Sequence, residues 1–124
     1  MEETRKNFIL TIANEVNSIL KNAGAVAWSW GIDNKTATEY EGMAAFAFTV
    51  QGFRHRGGVV VALNEAKDLY EVYFLNEKGE AVNVVEDVYL DELVSVLDRE
   101  IETGNDDEKT YTEKVNKWLS NQKI

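Results

Sequence analysis

The sequence predicts an α+β protein: a single two-layer domain with an N-terminal helix, about five strands in a mainly antiparallel sheet, and two C-terminal helices. Three observations lead there. The hydrophobic period is three-and-four at the start of the chain, two through its middle, and three-and-four again towards its end. Helical and strand patterns are segregated rather than alternating, which argues against a βαβ succession. The strand patterns are joined by short connections, as antiparallel neighbours allow. With 124 residues the chain has room for one core, and 1–124 reads as one domain without repeats or a linker.

The first helix rests on Phe8, Ile9, Ile12, Val16, Ile19, Leu20 and Ala23, which share one helical face, with Asn7, Thr11, Asn14, Glu15, Ser18 and Lys21 mostly opposite. This predicts a helix over about 3–22, ended by Gly24. Beyond Gly24, Val26, Trp28, Trp30 and Ile32 alternate with Ala25, Ala27, Ser29 and Gly31, which predicts a half-buried strand. Residues 33–42 are polar and without a period, so they read as a loop. A strand over about 43–53 turns Phe46, Phe48 and Val50 to one face and Ala45, Ala47, Thr49 and Gln51 to the other. Residues 54–58 read as a hairpin connection to the β-branched run 59–63. Strands over 69–75 and 81–85 flank Asn76-Glu77-Lys78-Gly79, with Asn first and Gly fourth as a type I turn prefers.

Leu90, Leu93, Val94, Leu97 and Ile101 restore the helical stripe, with Asp87 as the expected N-cap and Gly104 as the stop. A last helix is expected from Asn105, with Glu108 placed to complete a capping box and Tyr111, Val115, Trp118 and Leu119 as its apolar stripe.

Composition narrows the function. The net charge of −9, from 22 acidic and 13 basic residues, disfavours direct nucleic-acid binding, which needs clustered cations to neutralise phosphates. It equally disfavours anionic lipid. The longest apolar run, 43–48, is far short of the ~20 residues that span a bilayer. No secretory signal is evident, and the absence of cysteine fits a reducing compartment, so a soluble, cytoplasmic protein is expected.

Catalytic constellations are hard to assemble from these residues. There is one histidine and no cysteine, and no Gly-x-Ser-x-Gly elbow or phosphate-cradling glycine motif. His55 lies between Arg54 and Arg56 at a hairpin tip, a basic cluster read as an exposed turn able to touch an acidic partner. Glu39 and Glu41 flank Tyr40 and could act as an acid–base pair, but a solvated acidic surface explains them more simply. The same holds for Asp87 and Asp91 as ligands of a hard cation. No cofactor and no metal site are expected, and the chain reads as a non-enzyme.

Two surfaces remain as partner sites. Residues 86–124 hold eleven acidic and five basic residues, so −6 of the net −9 lies there, and Asp91, Asp98 and Glu102 are the positions expected to steer a basic partner. The sheet face opposite the aromatic one is built of small, weakly polar residues, from which Thr49, Gln51 and Tyr73 are singled out as contacts with a protein partner or with a second copy in a homodimer. The leading reading is therefore a protein-interaction module. One alternative is a small-molecule-binding domain or weak enzyme with a pocket near the 33–42 loop, lined by Trp30, Glu39, Tyr40 and Glu41. Another is an acidic DNA-mimic or toxin-neutralising protein.

Overall fold

The computed structural model describes residues 3–103. Helix α1 spans Glu3–Asn22, as its periodicity predicts. Its buried side chains are Ile9, Ile12, Ala13, Val16 and Leu20, and full burial of an aliphatic side chain of this size contributes about 1.5–3 kcal/mol.

The expected first strand is absent. Ala25–Trp28 forms a four-residue helix, α2, bracketed by Gly24 and Gly31 at φ 60° and 66°. In these left-handed positions a Cβ would be strained, so the two glycines let the chain enter and leave one tight turn. The first strand is instead β1, Asp33–Tyr40, where a loop was expected. It is an edge strand and mostly exposed, so it needs almost no apolar residues. Glu41 and Gly42, both at positive φ, close the two-residue hairpin into β2, Met43–Gln51, in the manner of a type I′ turn.

Strands β3 (Arg56–Asn64), β4 (Leu69–Leu75) and β5 (Ala81–Val88) complete a five-stranded antiparallel meander in the order β1-β2-β3-β4-β5. Both β3 and β5 extend beyond their expected ends. The turn after β4 forms as expected: the Gly79 amide donates to the Asn76 carbonyl at 3.0 Å, and the Asn76 side chain accepts from the Lys78 and Glu80 amides. Near its end β5 carries a bulge, where Tyr70 pairs with Val88 but Val72 with Val85.

Asp87 sits within that bulge at φ 57° and pairs with Lys67, so it is not the N-cap of the following helix. The helical piece begins instead at Tyr89, whose amide donates to the Glu92 carboxylate at 3.1 Å. A 3-10 turn, Leu90–Glu92, leads into α3, Leu93–Asp98, and then a wider π-type turn, Arg99–Thr103. The expected stop at Gly104 and the expected last helix lie outside the described residues.

Among the described residues, helices cover one sheet face only. Phe46, Phe48, Val59, Val61, Val72 and Phe74 point into a core with α1, Trp30, Leu93, Leu97 and Ile101. The aromatic face is thus the covered one, and the small-residue face is the outer one.

Candidate interaction site on the outer sheet face

Alternation and register assemble this site. Ala45 pairs with Ala62, and Ala62 with Glu71; Ala47 pairs with Val60, Val60 with Tyr73, and Tyr73 with Val84. Of the residues expected on this face, those of the middle and late strands lie there; Ala25 and Ala27 do not, because they are helical. Ala45 and Ala62 are fully buried and Val60 nearly so, in a second apolar cluster with Tyr40, Met43, Ala47, Tyr73 and Leu75 packed against it. The Tyr40 and Tyr73 rings meet at 4.7 Å between centroids with a tilt of 52°. Small residues in the middle of the sheet leave room for such rings to lean across them.

Glu71 anchors the cluster. It is only 7% exposed, and both its oxygens are engaged: Oε1 accepts from the Tyr73 hydroxyl at 2.6 Å and Oε2 from the Asn64 amide at 2.9 Å. Those two donated hydrogen bonds, Tyr73 first, hold its carboxyl below the usual carboxylate range. Burial pushes the Tyr73 phenol upward, and its bond to Glu71 adds to the effect. A general acid–base pair works best with a pKa near working pH, and these two groups are driven away from it in opposite directions. The arrangement fixes both side chains on the outer face.

The other sequence-predicted residues are placed as follows. Thr49 is half-buried on the outer face, its hydroxyl donating to the Asp33 carbonyl and accepting from the Asn34 side chain, while Gln51 is exposed at the strand end. The acidic trio divides. Asp91 is exposed, but Asp98 accepts the indole N–H of buried Trp30 at 3.0 Å, and Glu102 is half-buried near Gly52. Asp98 is half-buried and holds the Trp30 side chain as well as lying among the acidic positions. At the hairpin tip Arg54 and Arg56 are exposed. His55 is half-buried, with Nε2 3.1 Å from the Gly58 carbonyl and its ring edge-on to Phe74, so the expected exposed turn residue is in fact packed.

Trp30, Glu39, Tyr40 and Glu41 are not brought together. Trp30 lies in the core, Glu39 pairs with Arg5 at 3.2 Å, Tyr40 leans over the outer face, and Glu41 occupies the hairpin turn. What sequence reasoning missed is the separation of Trp28 from Trp30: Trp28 is 84% exposed on α2 while Trp30 is buried. The signal that could have found it is the pair of glycines seven positions apart, which suits a tight helical turn better than a strand. Among the described residues no cluster of three or more acidic or histidine side chains is spaced to hold a metal ion, and no helix is long and apolar enough to cross a membrane.

Compared with protein-family models, curated proteins and solved structures, the chain matches none.

Proposed function

We propose that the chain is a non-enzymatic, cytoplasmic protein-interaction module that docks a protein partner on the outer sheet face. One observation carries this reading: the Tyr40–Tyr73–Glu71 cluster is pre-organised over a packed layer of small side chains, with its one buried charge already satisfied. A partner covering it desolvates tyrosine, methionine and alanine surface without stranding a carboxylate, and little side-chain freedom remains to be lost on binding. Thr36, Thr38, Thr49 and Gln51 border the cluster with neutral polar groups. The partner surface is accordingly apolar and close to neutral.

A photo-crosslinking side chain at Thr49, compared with one at exposed Lys6 on α1, tests the proposal in cells. The expected result is a discrete protein adduct from position 49 that Ala47→Glu abolishes and that position 6 does not form. Identical adducts from both positions, or none from position 49, would overturn it.

A further inference from the structure

We propose that the groove beside α2 is a binding site for a small anionic molecule carrying a flat ring, with the ring stacked on Trp28 and the carboxylate or phosphate held by Lys21 and Lys35. This site is separate from the outer face and does not depend on it. The groove measures about 640 Å³ and is lined by the end of α1, by α2 and by the entry to β1. That volume is within the range of small-molecule sites. Its apolar wall comes from Leu20, Ala27 and Ile32, and Trp28 and the two lysines border it.

Two features separate this groove from an ordinary surface dip. Trp28 is 84% exposed while Trp30, two residues on, is completely buried. Its backbone is held in the α2 turn: its amide donates to the Gly24 carbonyl at 3.0 Å, and Gly31 donates back to the Trp28 carbonyl at 3.2 Å. An indole uncovered to this degree offers a π-face to a flat ring. The second feature is charge. In a chain of net −9, Lys21 and Lys35 both line the groove and make no ion pair among the described residues. The neighbouring Asp33 carboxylate accepts the Asn34 amide at 2.8 Å. Two available cations beside one exposed aromatic wall complement an anion with a ring. An acyl chain would gain less, since it needs enclosure on several sides and this groove is open.

Anilinonaphthalene sulfonate, a ring with one anionic group, is a suitable probe, read by energy transfer from tryptophan and by amide chemical shifts. Saturable binding is expected, with shifts at Gly24, Gly31 and Ile32. Trp28→Ala should weaken it about tenfold or more, Trp28→Phe should retain most of it, and Lys21→Gln with Lys35→Gln should weaken it several-fold and remove its salt dependence. Circular dichroism verifies that the variants fold, as they should for exposed positions. Neutral N-phenylnaphthylamine should bind about tenfold more weakly than the sulfonate. Equal affinity for the two probes would overturn the anion assignment. Unchanged binding by Trp28→Ala, or shifts that map to Tyr73 and Ala47, would overturn the site. Quenching of Trp28 by phosphatidylcholine vesicles, with no response to the soluble probe, would assign α2 to a lipid surface and overturn the ligand proposal.

Discussion

Glu71 is one residue where burial, charge and hydrogen bonding all act on stability. Its folded pKa lies below the unfolded value, so the stabilisation is present above the ordinary carboxylate range and is lost as pH falls through the folded value. In Glu71→Gln the neutral amide offers one acceptor oxygen to two donors, which predicts a loss of about 1–3 kcal/mol at neutral pH. Urea denaturation of both proteins should show that deficit shrinking as the solution is acidified below the carboxylate range; a deficit independent of pH would mean that the charge contributes nothing. Tyr70 has the opposite sign. Burial first, then the charges of Glu15 and Asp68, push its phenol up to about 12, so its contribution is present below the ordinary tyrosine value of 10.0 and is lost as pH rises towards 12. Tyr70→Phe cannot ionise, and its alkaline unfolding, followed by circular dichroism, should begin at higher pH than wild type. Asp98 separates scaffold from surface: Asp98→Ala leaves the buried Trp30 N–H without its acceptor and should cost about 1–3 kcal/mol, whereas Asp91→Ala should change stability by less than ~0.5 kcal/mol.

At the scale of elements, legibility followed burial. Helix α1 and strand β2 showed their periods in the sequence, whereas β3, buried from Val59 to Leu63, was read from its β-branched run and β4 from the turn that follows it. Strand β1 was not legible because an edge strand whose only core-packed apolar side chain is Ala37 leaves no alternation to read. The 25–32 segment misled because Trp28 and Trp30, two apart as in a strand, are placed by a helical turn, one outside and one inside. The outer face was readable in its composition, but the meeting of Tyr40 and Tyr73 needs the register of β1, and the Trp28 groove needs the glycine geometry. The hairpin from β2 to β3 also has a task that its sequence hides: the Arg54 and His55 amides both donate to the Ile101 carbonyl, tying the tip to the end of the helical piece. Gly52 makes that approach possible, since a Cβ there would collide with the Ile101 side chain and carbonyl. Gly52→Ala should cost about 1–3 kcal/mol by overpacking. Amide exchange should quicken at Arg54 and His55 well before the central strands are affected, while uniform acceleration across the sheet would show that the tip and the core open as one unit.

Across the whole molecule, every strand pairs with its neighbour in the chain, so the sheet forms from local hairpins and α1 closes over β1 and β2. Arg5 fastens that closure by reaching Glu39, Glu65 and the Gly42 carbonyl, which joins the helix to two separate turns. Attraction of this kind competes with the self-repulsion of a chain of net charge −9. The ion pairs among the described residues are partly or largely solvent-exposed, and exposed pairs contribute only about 0–1 kcal/mol each. Repulsion acts among many unpaired carboxylates and at longer range, so salt should screen it more than it weakens the pairs. Raising sodium chloride from about 10 mM to about 150 mM shortens the screening length from roughly 30 Å to about 8 Å. The thermal midpoint is expected to rise across that interval and then level off, with Arg5→Gln shifted downward at every salt concentration but showing the same upward trend. A midpoint that falls with added salt in the wild type, and no longer does so in Arg5→Gln, would show that the Arg5 cluster outweighs the net charge in holding the helix to the sheet.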